Sequence, residues 1–125
     1  MGKISSQAYE AYEIVKESQK LGLKSVKPNI DCKDVDAACR KYIDEKNYGQ
    51  YFIHSTGHGI GLEVHELPAI SYRSDLRLKE NMAITVEPGI YIENKFGIRI
   101  EDSLIVKQRP IVMHKFTKDL VTIWA

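Results

Sequence analysis

Apolar residues at helical spacing predict an amphipathic helix at the start of the chain. Ser5 or Ser6 can cap its first turn, because a serine hydroxyl accepts a hydrogen bond from an otherwise unpaired backbone N–H. We expect the helix to end near Gly22, since glycine commonly follows the last helical turn. The residues that form its apolar side are Ala8, Ala11, Tyr12, Ile14 and Val15.

A second helix is predicted after the turn from Lys27 to Asn29. Asp31 is placed to cap it, and apolar residues then recur at three- and four-residue spacing. We attribute Asp31, Asp34 and Asp36 to capping and to the positive end of the helix dipole. The buried stripe is expected to consist of Val35, Ala38, Cys39, Tyr42 and Ile43.

From Tyr51 onwards the pattern changes to short runs of β-branched and aromatic residues, with a turn between Asn94 and Gly97. The order of two helices followed by strands predicts an α+β fold, with the helices on one face of a mainly antiparallel sheet. Residues 1–125 are expected to form a single domain. The runs interpreted as strands are YFIH, MAITV, GIYI, GIRIE, SLIV, PIVM and LVTIW.

The bulk composition removes several classes of function. Eighteen Lys and Arg against 17 Asp and Glu give a formal charge of +1, so charge does not support nucleic-acid binding. There is neither a signal-peptide pattern nor a run of the roughly 20 apolar residues that would cross a membrane. Cys32 and Cys39 do not form a disulfide pattern, which favours a reducing, cytoplasmic location.

Three of the four histidines lie within the segment His54–Glu66. A single histidine is more often structural than functional, but three that are interleaved with glycines favour a site. Gly57, Gly59 and Gly61 surround His58, and the absence of their Cβ atoms would permit unusual backbone dihedrals and close approach of a ligand. The alternative is a flexible turn.

Two common motifs do not account for this segment. His65-Glu66 is not followed by a second histidine at the spacing that a zincin helix requires, and Pro68 would interrupt such a helix. No Lys-Ser/Thr pair follows the glycines, which excludes a phosphate-binding loop.

Two carboxylates, Glu87 and Glu101, stand in otherwise apolar strand patterns. Burying a carboxylate is costly unless a cation or a metal compensates its charge. Strand alternation places Arg99 and Glu101 on the same face, so an exposed ladder of opposite charges is the alternative. Together with the histidines, the two glutamates make a donor set suited to Mn, Co, Zn or Fe.

At this point the sequence resembles a known family, the pita-bread-fold metallopeptidases. HSTGHGIGLEVHE is similar to the prolidase signature, and TVEPGIYI and GIRIEDS are similar to its two downstream carboxylate motifs. The three motifs occur in the family's order, and GIRIEDS favours the Xaa-Pro branch (Xaa-Pro dipeptidase or aminopeptidase P) over methionine aminopeptidase. The implied fold is the second half of a pita-bread domain, two helices on a curved antiparallel sheet.

The resemblance implies a role for each matching residue. His58 and Glu87 would bind one divalent ion, and Glu101 would bridge two ions. His54 and His65 would line the substrate site, Glu87 would also shuttle a proton, and Arg99 would organise charge beside Glu101. The implied reaction is hydrolysis of Xaa-Pro di- or oligopeptides by metal-activated water.

In the family two further aspartate ligands precede the first helix, and this chain does not contain their motif. We therefore expect at most one bound ion and little peptidase activity from the chain alone. Association with a missing N-terminal half, or a homodimer, is a further expectation. The alternative function is a non-catalytic peptide-binding, partner-binding or structural module, or a truncated remnant of the enzyme.

Overall fold

The computed structural model describes residues 4–121, and its first element is helix α1, Ser6–Ser25. The Ser5 hydroxyl caps it by accepting a hydrogen bond from the Ala8 backbone N–H at 3.1 Å, as one of the two serine alternatives predicted. The predicted end near Gly22 is wrong. Gly22 lies inside the helix, where the Cys39 sulfur and the Val86 side chain occupy the space that a Cβ would need.

Helix α2, Cys32–Glu45, follows the predicted second stripe, with Val35, Cys39 and Ile43 fully buried. Asp31 stands at the N-cap position but makes no side-chain cap bond; its Oδ1 instead accepts from Arg77 Nε at 2.7 Å. The capping explanation of Asp36 is wrong, because its carboxylate is fully buried in the second turn and paired with a cation. Asp36 therefore belongs to the interior.

Among the described residues, seven strands follow a short 3-10 helix, Gly49–Tyr51. Five of the strands form an antiparallel sheet in the order β2-β1-β3-β6-β7, and β4 and β5 form a separate antiparallel hairpin. Two helices with a wholly antiparallel set of strand pairs confirm the α+β prediction. The strands are β1 Gly57–Gly59, β2 Glu66–Ile70, β3 Ala83–Val86, β4 Gly89–Ile92, β5 Phe96–Arg99, β6 Asp102–Ile105 and β7 Ile111–Val112.

Four of the predicted strand runs correspond to β3, β4, β5 and β6, and PIVM contributes only the two residues of β7. The predicted strand over YFIH is wrong, because the chain there leaves the 3-10 helix and continues without regular structure to Thr56. β1 and β2, in the histidine and proline region, were not predicted. Most of LVTIW lies outside the described residues.

Strand β3 separates the apolar core from a polar face. Ile84 and Val86 are fully buried, and Val86 packs against Gly22 of α1. Because successive strand residues point to opposite faces, Thr85 and Glu87 face away from the helices. The fold thus places the buried Glu87 carboxylate on the side of the sheet away from the apolar core.

Cys32 and Cys39 are both buried and free. Burial raises the pKa of the Cys39 thiol to about 12, so this thiol stays protonated at neutral pH. Within residues 4–121, neither helix combines the length and the apolar character that crossing a bilayer requires.

Candidate functional site

A pocket of about 580 Å³ opens on the polar side of β3. Arg99 and Glu87 line it together with the histidine segment, whose backbone and side chains form most of the wall. Glu101, which the sequence assigns to the same site, is absent from its lining. The sequence-predicted residues that the structure brings together here are His54, His58, His65, Glu87 and Arg99.

Strand β1 holds His58 at the centre of this wall between two close neighbours. A Cβ at Gly57 would collide with the Thr85 carbonyl, and one at Gly59 would collide with the Leu67 carbonyl. The glycines flanking His58 therefore let β1 approach both adjacent strands. The expectation of unusual dihedrals is wrong, since no glycine among residues 4–121 has a positive φ.

The His58 imidazole has a defined orientation. Its Nδ1 lies 2.8 Å from the Gly59 carbonyl oxygen, which can only accept, so Nδ1 carries a proton. Nε2 then points at Glu87 Oε1, 3.1 Å away. The Thr85 hydroxyl donates to the same Glu87 oxygen at 2.8 Å and accepts from the His58 backbone N–H at 3.0 Å.

This contact calls for a positive charge between its two partners. A neutral imidazole protonated at Nδ1 presents an Nε2 lone pair, which would face the carboxylate oxygen as a second acceptor. Either a proton on Nε2 or a bound cation relieves that repulsion. A histidine whose Nδ1–H is fixed by a carbonyl and whose Nε2 is free is also the usual form of a metal-binding histidine.

His54 lies at another side of the pocket and is held by two hydrogen bonds. Its Nδ1 is 2.8 Å from the Ser55 carbonyl oxygen, so Nδ1 is the donor. Its Nε2 is 3.0 Å from the Tyr91 hydroxyl, which donates to it when the ring is neutral. Phe52 and Tyr91 both pack edge-on against the imidazole, with ring centroids 5.2 and 5.3 Å away.

His65 completes the histidine group from the exposed loop before β2. Its ring packs edge-on against His58, with centroids 4.7 Å apart. Glu66, also in the pocket wall, accepts a hydrogen bond from the Glu63 backbone N–H at 2.9 Å. His65 is exposed and Glu66 is half-buried, whereas Glu87 in the same pocket wall is buried.

Arg99 lies between the two predicted carboxylate ligands. Its Nε is 3.7 Å from Glu87 Oε2, and its Nη2 is 3.2 Å from Glu101 Oε2. The shared face predicted for Arg99 and Glu101 is confirmed by this contact. Glu101 is exposed rather than buried, and it lines a neighbouring pocket of about 490 Å³ together with Arg99.

The donor chemistry fits a divalent cation at His58 and Glu87. An imidazole nitrogen and a carboxylate oxygen converge there, and both suit Mn, Co, Zn or Fe. Over residues 4–121, however, no group of three or more His, Cys, Asp or Glu side chains is arranged to hold an ion. The described part of the chain thus provides two convergent donors and a third, Glu101, beyond Arg99.

A buried ion pair lies directly beneath the histidine segment. Arg40 donates through Nε to Asp36 Oδ2 at 2.8 Å and through Nη2 to Asp36 Oδ1 at 2.9 Å. Hydrogen bonding to Asp36 raises the pKa of the Arg40 guanidinium, so it remains charged. The pair also bonds to Phe52, His54 and Thr56, which lead into β1.

Three residues of this region escaped sequence reasoning: Asp36, Glu66 and Tyr91. Asp36 had a detectable signal, because Cys32, Asp36, Cys39 and Ile43 follow helical spacing along one buried side. Tyr91 alternates with the apolar Ile90 and Ile92 in β4. Glu66 had no comparable signal.

Comparison with known proteins identifies the family. The model of metallopeptidase family M24 matches residues 1–108. An Xaa-Pro dipeptidase from Pyrococcus furiosus is 47% identical over 108 residues, which are 86% of this chain and 31% of that protein. The chain therefore spans about a third of the length of the curated relatives it matches.

Solved structures agree with this sequence match. An Xaa-Pro dipeptidase from Bacillus anthracis superimposes with a TM-score of 0.93 at 48% identity, covering 97% of this chain and 34% of that one. A recombinant prolidase from Thermococcus sibiricus gives a TM-score of 0.94 at 42% identity, covering 98% and 34%. The chain belongs to metallopeptidase family M24 and has its pita-bread fold.

Proposed function

We propose that the protein carrying these residues hydrolyses Xaa-Pro peptides with the help of divalent metal ions. The observation that carries the proposal is the convergence of His58 Nε2 and Glu87 Oε1, 3.1 Å apart in the wall of the pocket. The relatives named as Xaa-Pro dipeptidases support the choice of substrate. They are similar along nearly all of this chain.

His58 and Glu87 would hold the metal, with Glu101 as a further carboxylate ligand. A bound divalent ion (Mn, Co, Zn or Fe) would polarise the scissile carbonyl and lower the pKa of water. The Thr85 hydroxyl donates to Glu87 Oε1, and Glu87 Oε2 lies 3.7 Å from Arg99 Nε. A proton-shuttling role for Glu87 is part of the proposal and is supported by its place in the pocket wall beside His58.

The two other histidines are proposed to contact the peptide. His54 is oriented by its bonds with the Ser55 carbonyl and the Tyr91 hydroxyl, and its Nε2 could exchange the Tyr91 hydroxyl for a substrate group. His65 is exposed beside His58 and can donate to charge that develops on the carbonyl oxygen. Arg99 would balance the two glutamates when no metal is present.

The isolated chain is expected to be a poor peptidase. Two convergent donors hold an ion weakly, because family sites of this kind require a full ligand set. Strands β2 and β7 stand at the two edges of the five-stranded sheet, so a homodimer or association with an N-terminal half stays a prediction. Monomeric behaviour in light scattering at high concentration would count against the dimer.

Hydrolysis of Ala-Pro and Gly-Pro by the chain combined with an N-terminal half from the family tests the proposal. With Mn²⁺ we expect turnover that EDTA removes and added metal restores, and that Glu87→Gln abolishes. Glu80→Gln is the matched control, because Glu80 pairs with Lys107 on the surface, away from the pocket. Metal-independent turnover, or none with any of the four metals, would contradict the proposal and favour the non-catalytic binding module.

A further inference from the structure

We propose that the buried Asp36–Arg40 pair of α2 is a positioning device for His54. Its two side chains set where the His54 backbone lies and therefore where the imidazole enters the pocket. The positioning of His54 is inferred from the contacts described below. The expected effect on turnover also rests on the proposed function.

Both members of the pair bind the segment that leads into β1. Arg40 Nη1 donates to the Phe52 carbonyl oxygen at 3.0 Å, and Arg40 Nη2 donates to the His54 carbonyl oxygen at 2.9 Å. Asp36 Oδ1 accepts from the Thr56 hydroxyl at 2.7 Å and from the Thr56 backbone N–H at 3.3 Å. Every second residue from 52 to 56 is therefore bound.

The middle of this segment has no backbone hydrogen-bond ladder. Residues 52–56 belong to neither a helix nor a strand, and their backbone bonds lie at the two ends, from the Phe52 N–H to the Gly49 carbonyl oxygen at 3.0 Å and from the Glu87 N–H to the Thr56 carbonyl oxygen at 2.7 Å. The Asp36 side chain is 1% exposed and its partner Arg40 21%, and the Arg40 guanidinium lies 4.1 Å from the centre of the Phe52 ring. A bidentate, nearly dry ion pair has little freedom to move.

The pair therefore controls the two hydrogen bonds of the His54 ring. The Nδ1 contact to Ser55 and the Nε2 contact to Tyr91 both require the His54 Cα to stay in place. A displacement of about 1 Å in a site of this kind lowers turnover by about 100-fold. His58, the proposed metal ligand, should move less, because β1 pairs with both β2 and β3.

Two variants weaken the device in different ways. Arg40→Lys keeps the charge but cannot bind Asp36 and two carbonyls at once. Thr56→Val removes one donor to Asp36 and keeps the shape of the side chain, so it serves if Arg40→Lys fails to fold. Arg77→Lys is the matched control, since Arg77 pairs with Asp31 at the N-cap of the same helix and its side chain has no hydrogen bond to the segment.

Nitrogen NMR of the chain labelled with ¹⁵N-histidine gives the readout that does not depend on activity. In the wild type and in Arg77→Lys, the His54 ring should show a single state with a proton fixed on Nδ1. In Arg40→Lys and Thr56→Val, His54 should average between tautomers, while His114 is unchanged. A fixed His54 tautomer in both segment variants would overturn the proposal.

Turnover of Ala-Pro by the chain combined with an N-terminal half from the family separates this proposal from the proposed function. We expect kcat to fall by about 100-fold in Arg40→Lys with KM changed less than about threefold, and no change in Arg77→Lys. A wild type without turnover would refute the proposed function, and the NMR result would still decide the positioning role. An unchanged kcat in an active protein would overturn the positioning role.

Discussion

Two arginines of this chain each bind carboxylates, and their surroundings differ. Arg40 binds the fully buried Asp36 through two short hydrogen bonds and also binds backbone carbonyls. Arg99 lies between Glu87 and Glu101 at the pocket, with its side chain 51% exposed and that of Glu101 38% exposed. The side chains are of the same types, but the Arg40 group is much less exposed, with Arg40 at 21% and Asp36 at 1%.

Burial gives the two groups different capacities. Removing one partner of a buried pair leaves an uncompensated charge in the interior, so the Asp36–Arg40 pair is fixed. An exposed pair is screened by water and contributes little to stability, so its members can exchange partners. Glu87 and Glu101 could therefore exchange Arg99 for a bound cation. Arg40, in contrast, stays bound to Asp36 and to the carbonyl oxygens of Phe52 and His54.

The largest expected effect comes from breaking the buried group. Asp36→Ala should lower the free energy of unfolding by about 3 kcal/mol, because it leaves the largely buried Arg40 without its counter-charge and the buried Thr56 hydroxyl without its acceptor. Glu101→Ala should lower it by less than about 1 kcal/mol. Urea denaturation of the 125-residue chain measures both, and equal losses would remove the distinction.

The sequence predicted the parts of this contrast that depend on periodicity. Helical spacing identified both helices, and alternation identified β3 to β6 and the shared face of Arg99 and Glu101. It missed Asp36 because a polar residue within an apolar stripe was attributed to the helix terminus. Only the fold reveals that segment 52–56 supplies the groups that this carboxylate and Arg40 bind.

Other failures have the same origin in long-range contacts. YFIH has the composition of a strand, yet the preceding 3-10 helix and the Arg40 contact hold it in an irregular path. β1 was not predicted because its glycines have low strand propensity. They are required there by the close approach of the β1 backbone to the carbonyl groups of Thr85 and Leu67, which depends on the tertiary fold. The motif resemblance identified the pocket residues, but the place of Glu101 beyond Arg99 required the structure.

A smaller stability effect is expected on the polar face of β3. Thr85→Val removes the donor to Glu87 and leaves the His58 backbone N–H without its acceptor, at a cost of about 1–3 kcal/mol. Urea denaturation measures the loss, with the solvent-facing Thr117→Val as control. A change below about 0.5 kcal/mol would show that water replaces the hydroxyl.

For the group formed by Arg99, Glu87 and Glu101, a change of charge should alter the affinity for a metal ion. Arg99→Gln removes a cation beside Glu87 and Glu101, and we expect Mn²⁺ affinity to rise by about fivefold, roughly 1 kcal/mol. Calorimetric titration measures it. A weaker affinity would indicate that Arg99 holds the carboxylates in the binding geometry.

The smallest effect tests whether the side of α2 that carries Asp36 is closed to solvent. Burial raises the pKa of Cys39 to about 12 and also raises that of Cys32, so neither thiol should react with Ellman's reagent at pH 8 until the chain unfolds. Above pH 9 the unfolded thiols ionise while folded Cys39 does not. The free energy of unfolding should therefore fall as pH rises towards 12.

Rapid labelling of Cys39 in the folded chain would contradict this closure. Cys32→Ala is the matched variant, because it leaves Cys39 as the single thiol and assigns the reaction to one site. Its labelling rate should equal the rate of global unfolding.

The most direct test of the central claim is a Mn²⁺ titration of the 125-residue chain by calorimetry. The account predicts weak binding of at most one ion to the wild type and to the surface control Glu80→Gln, and loss of that binding in Glu87→Gln and His58→Ala. Equal Mn²⁺ binding by the wild type and Glu87→Gln, or no binding by any of them, would contradict a metal site at His58 and Glu87.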